Sequence, residues 1–176
     1  MLVVGFACLA VLTAVTLRDS LVQTRSNQLL SAAQAISSWV QAAHQARLTG
    51  ASLEPDRCSS AHHQPLSFCF ADMVSPGQPF AGLTNSLAQT PNAPTFAFVA
   101  NTRDVAGGQL CDTLSGPVFV SAPQGPSRRP LENWAGLIII QPGSFMDDLS
   151  VSVNRLNIGY CDQDGRLVWV SRSLAF

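Results

Sequence analysis

The chain has 176 residues, 47% of them hydrophobic and only 12% charged, with a formal net charge of −1. That length suits one domain beyond any anchor, and the missing basic excess excludes a surface built to neutralise nucleic-acid phosphates. Every basic residue is Arg, which also excludes any lysine-based site.

From Met1 to Leu48 there is no Pro, and Gly5 is the single Gly. This predicts one long helix with two environments. Leu2–Leu17 carries no ionisable side chain. Sixteen helical residues rise about 24 Å against a hydrocarbon core of about 30 Å, a gap that snorkelling of Arg18 or local bilayer thinning closes. Two other readings compete: a buried core helix, and a cleaved signal peptide, for which the small-residue pattern around Leu12–Val15 is poor. Arg18 and Arg25, with Asp19 between them, give a mild positive-inside signal for a cytoplasmic C-terminal side. The cysteines point to the opposite, exported orientation, and that is the orientation expected here.

Cys8 falls in the apolar run and behaves as a small hydrophobe. Cys58, Cys69, Cys111 and Cys161 lie beyond it. Four cysteines in an exported domain point to two disulfides, with three pairings open to the sequence. The favoured set is Cys58–Cys69, clipping a local loop, and Cys111–Cys161, tying the middle of the domain to its C-terminal hairpin.

After Arg18 the helix becomes amphipathic. Val22, Leu29, Ala33, Ile36, Val40 and Ala43 recur at steps of seven, four, three, four and three, which keeps one apolar stripe on one face. Trp39 flanks the stripe and Leu30 widens it. The opposite face holds Gln23, Ser26, Gln34, Ser37, Ser38, Gln41 and Gln45. Such a stripe either covers a sheet or forms a coiled-coil-like seam with sister subunits; the steps last only about three heptads, which favours the sheet. Thr49-Gly50 is the expected stop, because Gly50 can take the left-handed conformation that ends helices.

Ala51–Pro65 reads as a loop and Leu66–Val74 as a short apolar strand or helical turn. Phe80, Leu83 and Leu87 share a face, so Phe80–Gln89 is expected to form a short helix. Thr95–Ala100 (TFAFVA) is a buried strand and Val118–Ser121 a second. Ala122–Pro130 is expected to be a surface loop without regular structure. Leu137–Gln141 (LIIIQ), apolar on both faces, belongs in the centre of a sheet. Arg155–Cys161 and Arg166–Arg172 flank a turn at Asp164-Gly165 and predict a β-hairpin, with Leu167 and Trp169 on one face and Val168 and Val170 on the other.

Signals for chemistry are weak. Cys58, His62, His63 and Cys69 cluster, but their spacing fits no structural zinc module. Asp162, Asp164 and Gly165 resemble the start of a calcium loop, yet Ser173 stands where the closing acid belongs, and turn chemistry explains them better. No G-x-S-x-G, G-x-x-x-x-G-K-[ST] or G-x-G-x-x-G motif occurs. No catalytic, metal or cofactor residue is predicted, and no cofactor. Arg128-Arg129 reads as a solvated pair.

An uncharged apolar helix running unbroken into an amphipathic one, then a loop, then an antiparallel sheet with late cysteines, resembles the organisation of type IV pilin-like proteins. Asn27–Gln45 (NQLLSAAQAISSWVQAAHQ) and Gly165–Val170 (GRLVWV) are also similar to PilM-type accessory proteins of type IVb and conjugative thin-pilus systems. Unlike major pilins, the fifth residue is Gly5 and no Glu precedes Glu54. The resemblance implies an α+β fold: an anchor at 1–18, an amphipathic helix over 19–50, and a periplasmic head over 51–176, the helix packed on a small antiparallel sheet. It further implies a non-enzymatic, single-pass inner-membrane component of a pilus or related secretion apparatus, whose partners are the membrane and other subunits. Gly5, Ala10, Val22, Leu29, Ala33, Ile36, Val40 and Ala43 would then pack between subunits. Two alternatives stay open: an exported membrane-tethered hydrolase with a dispersed triad using His44, His62 or His63, and a periplasmic ligand-binding domain.

Overall fold

The computed structural model describes residues 2–51, 66–88, 90, 93–99, 105–114, 116–121, 125–127, 133–142 and 155–175; within these, the side chains of 2–19, 47, 66, 121, 125, 126 and 142 are not described. Two helices, α1 (Leu2–Leu48) and α2 (Leu66–Met73), precede six strands: β1 (Phe96–Val99), β2 (Pro117–Ser121), β3 (Gly125–Ser127), β4 (Ile138–Pro142), β5 (Arg155–Cys161) and β6 (Leu167–Ala175). A 3-10 turn, Cys111–Thr113, lies between β1 and β2. The chain is therefore α+β, as expected.

α1 stops where the sequence predicts. Gly50 adopts φ 72°, and the N–H of Ala51 donates back to the carbonyl of Ala46 at 2.9 Å. The Thr49 hydroxyl donates to the same carbonyl at 2.9 Å. The Ala46 carbonyl, one of those that a helix end leaves without an intrahelical partner, is thus satisfied.

The strand order is β3-β2-β1-β4-β5-β6. Every neighbouring pair is antiparallel except β1 and β4, which run parallel with Phe96 opposite Ile138 and Phe98 opposite Ile140. The purely antiparallel sheet expected from the sequence is therefore corrected to a mixed one. The cause lies in the two most apolar strands. All four residues of β1 are buried, as are Ile138, Ile139 and Ile140 of β4. Each strand needs cover on both faces, so both sit in the centre. Each then leads its own meander outward, β1-β2-β3 to one edge and β4-β5-β6 to the other, and two meanders joined along their first strands meet in parallel.

Side chains alternate between the two faces. On one, Phe96, Phe98, Val120, Ile138, Ile140, Leu156 and Ile158 pack with Ala33, Ile36, Val40 and Ala43 of α1 and with Cys69, Phe70 and Met73 of α2. α1 lies over β5 and β6, and α2 over β2 and β3. Phe70 joins the layers: its ring meets Phe96 at 5.5 Å, Phe98 at 5.4 Å and Trp39 at 6.2 Å, all edge-on. On the other face, Ala97, Val99, Phe119, Leu137, Ile139, Cys161 and Leu167 pack with Val105, Cys111 and Leu114 of the 105–114 segment, flanked by Trp134 and Trp169.

Two further expectations change. No helix forms over the described part of Phe80–Gln89; turns replace it. Asn85 is the reason, because its Oδ1 accepts the N–H groups of Leu87 and Ala88, each at 3.0 Å, offering the backbone a local alternative to helical bonds. Within Ala122–Pro130, expected to lack regular structure, β3 forms with Val120 opposite Pro126. Proline is tolerated because β3 is an edge strand and needs no donor on its open side. The hairpin of β5 and β6 is present and longer than predicted, with register shifts near Ile158 and a positive φ of 54° at Ser173. Such bulges blunt an edge strand against unwanted pairing.

Candidate functional site

The residues singled out from the sequence separate into three groups. The first is the helix stripe. Ala33, Ile36 and Val40 are fully buried, Leu29 and Ala43 nearly so, and Val22 is half-buried. From Leu29 to Ala43 the stripe is buried within the head itself, which leaves those five side chains no surface for an intersubunit seam; Val22 stays partly exposed. The sheet-covering use of the stripe is the one realised, because burying Leu29, Ile36 and Val40 in a closed core contributes about 1.5–3 kcal/mol each. Gly5 and Ala10 lie on α1 among positions whose side chains are not described.

The second group is the cysteines. Cys111 and Cys161 form a disulfide across a sequence separation of 50, the pairing favoured from the sequence. Cys69 is also disulfide-bonded, and its sulfur lies 3.8 Å from Met73 Sδ. Cys58, its expected partner, lies outside the described residues, as do His62 and His63. Among the described residues no group of three metal-type ligands comes together. The Asp162–Gly165 segment is a turn: Asp162 Oδ1 accepts from the N–H groups of Asp164 at 2.9 Å and Arg166 at 2.8 Å, and the N–H of Gly165 donates to the Asp162 carbonyl at 3.0 Å. His44 is half-buried on α1 and makes no hydrogen bond to a described Ser or Asp.

The third group is the exposed surface of α1. Gln28, Ser31, Ala35, Ser38, Ala42 and Gln45 all face solvent, and no Asp, Glu or Arg occurs between Arg25 and Arg47. Exposed helix faces of globular domains normally carry charge. This one is neutral and lined with small residues. Among the residues with described side chains no helix is long and apolar enough to cross a membrane, a statement that does not extend to Leu2–Leu17.

A feature invisible in the sequence is a groove of about 240 Å³ lined by Leu110, Asp112, Asn133, Trp134, Gln163, Asp164 and Gly165. Three segments distant in the chain meet there, and bonds tie them together. The N–H of Cys111 donates to the carbonyl of Gly165 at 2.8 Å, the Cys111–Cys161 disulfide ties the same two segments, and Asn133 Oδ1 accepts the N–H of Ala135 at 2.9 Å. The Trp134 ring meets Phe119 edge-on at 5.1 Å. Only the Asp162–Gly165 turn signalled any of this in advance.

Groove and helix share one end of the sheet. β4 begins there and β5 ends there, with the N–H of Gly136 donating to the Cys161 carbonyl at 2.9 Å. Asn85 Nδ2 donates to the carbonyls of Ala135 at 3.0 Å and Pro94 at 3.3 Å, clamping the 85–88 turn across that end. Next to Asn85, Ser86 Oγ donates to the carbonyl of Arg25 on α1 at 3.4 Å. Arg25 therefore sits level with the groove, at the end of the head from which α1 continues toward Leu2.

Comparison with protein-family models, with curated proteins and with solved structures gives no match.

Proposed function

We propose that this chain is a non-enzymatic, membrane-anchored component of a type IV-like pilus or a related secretion or conjugation apparatus, a minor pilin or assembly factor whose head lies in the periplasm. The supporting observation is the division of labour along α1. The helix is continuous from Leu2 to Leu48, yet the first buried residue among those with described side chains is Leu29. The uncharged run ends at Leu17, about 18 Å of helix rise earlier, so it lies beyond the head's described core. A long uncharged extension on a domain with its own closed core suits a bilayer. The Cys111–Cys161 disulfide suits an oxidising compartment.

In this reading the buried stripe holds the head and the neutral exposed face of α1 meets other subunits. Within lipid, helices lack a hydrophobic driving force for association, so Gly5, Ala7, Ala10, Thr13 and Ala14 supply close packing. Ala10→Arg places a charge in the anchor at a cost of about 2.5–3.5 kcal/mol at mid-bilayer. That variant should lose membrane fractionation and pilus assembly; unchanged fractionation and normal piliation would overturn the proposal.

A further inference from the structure

We propose that the groove beside the Asp162–Gly165 turn receives the Arg25 region of α1 from a second copy of this chain, linking neighbouring subunits side by side. The proposal rests on the anchored reading in one respect: a shared membrane holds the α1 helices parallel, which brings each groove to the height of its neighbour's Arg25.

The groove is acidic and mixed in character. Asp112 and Asp164 are exposed in its lining, no basic residue lines it, and Trp134 supplies an aromatic wall. Among the described residues the carboxylates of Asp112 and Asp164 make no hydrogen bond or ion pair, whereas Asp162 is already occupied by backbone N–H groups of its own turn. Arg166, next to Gly165, turns its guanidinium away onto the Gly108 carbonyl at 3.1 Å. The backbone of the cradle is held by a disulfide and by main-chain bonds, so a ligand orders only side chains on binding. Its chemistry suits a guanidinium, a planar cation that bonds carboxylates and carboxamides and packs on indole.

Arg25 fits that requirement. It is exposed, its guanidinium has no partner among the described residues, and its turn of α1 is fixed to the groove's end of the sheet by Ser86. The chain's own Arg25 is on the wrong side, because α1 covers one face while the segment bearing Leu110 and Asp112 covers the other. Donor and acceptor on opposite faces define a head-to-tail contact, which continues into a row or a ring rather than closing a two-fold dimer. Exposed ion pairs are individually weak and screened by salt, so the contact forms where a membrane concentrates and orients the copies.

The test uses the full-length chain in bacterial membranes with a photo-crosslinking p-benzoylphenylalanine in place of the exposed Gln163. The expected product is a covalent homodimer whose linked peptide contains Arg25. Arg25→Glu should lower its yield about fivefold, the size of a single exposed pair, and adding Asp164→Arg to Arg25→Glu should restore it. Circular dichroism of each variant checks that the head is folded. No homodimer, a crosslink only to lipid or to another protein, or a yield indifferent to Arg25→Glu overturns the inference while leaving the anchored reading intact if the protein stays in the membrane pellet. Recovery in the soluble fraction overturns both.

Discussion

The two faces of the sheet are closed by different means. The face under α1 and α2 is sealed by elements that satisfy their own backbone groups and deliver apolar side chains at helical spacing. The opposite face is sealed by the irregular 105–114 segment, which must find backbone partners elsewhere. It finds them along β6: the N–H of Gly108 donates to the Leu167 carbonyl at 2.7 Å, the N–H of Leu167 to the Gln109 carbonyl at 2.9 Å, and Trp169 Nε1 to the Val105 carbonyl at 2.8 Å. The Cys111–Cys161 disulfide then anchors the segment covalently. The helix-covered face is closed mainly by packing, whereas the loop-covered face depends on hydrogen bonds to a strand edge and on the Cys111–Cys161 disulfide.

The largest expected effect is on the helix face. Phe70→Ala removes a fully buried ring that touches Phe96, Phe98 and Trp39, and should destabilise the head by about 3–5 kcal/mol in denaturant titration. A cost near that of a surface substitution would show that this face is not the principal core.

Next comes the loop face. Replacing both Cys111 and Cys161 by Ser should cost about 2–4 kcal/mol. Hydrogen exchange should show 105–114 losing protection while α1 from Leu29 to Ala43 keeps its own. Equal loss in both regions would mean that the sheet's two coverings open as one cooperative unit, and the contrast drawn above would not hold.

Gly159 probes the same face more finely. A Cβ there would meet the Val168 carbonyl oxygen at 2.6 Å and Trp169 Cε3 at 2.8 Å. Trp169 lies across the bare backbone of its register partner, and Arg172 stands 5.9 Å from the centre of the indole. Gly159→Ala should cost about 1–3 kcal/mol by overpacking and should weaken the Trp169–Val105 bond that holds the loop. An indole fluorescence spectrum unchanged from the parent would refute the close approach.

The smallest effect concerns pH. Burial, and secondarily the charge of Asp162, raises the Tyr160 phenol above its ordinary 10.0. Below that value the phenol is protonated whether the chain is folded or not, and it contributes nothing to pH dependence. Above it the unfolded chain ionises first, so folding stability falls as pH rises toward the raised native value. Tyr160→Phe should flatten that alkaline decline. If stability falls equally steeply in both proteins above pH 10.0, the phenol is not its source.

Elements were legible where a local cause was strong. Gly50 ends α1, the alternation of Leu167, Val168 and Trp169 marks β6, and the Leu137–Gln141 run lies at the sheet's centre, all as read from the sequence. Phe80–Gln89 has helical apolar spacing but no helix among its described residues, because Asn85 offers the backbone competing hydrogen bonds that spacing does not reveal. The prolines of 122–130 argue against regular structure, yet β3 forms because an edge strand leaves its open side unpaired. Asp112, Asn133 and Trp134 gave no functional signal at all. Each is unremarkable in its own neighbourhood, and only the return of the chain from the first meander to the second places them around Gly165.

Periodicity and composition alone determine a long helix, uncharged at first and striped later, ahead of a region of short apolar strands that carries four cysteines. Those properties are local, set by side-chain spacing and by the few residues that start or stop an element. Which surface the stripe meets, which strands run parallel, and which acids gather beside a turn were decided only in the folded chain. Such choices depend on contacts between segments tens of residues apart, and they follow from how two doubly apolar strands, β1 and β4, come to share the middle of one sheet.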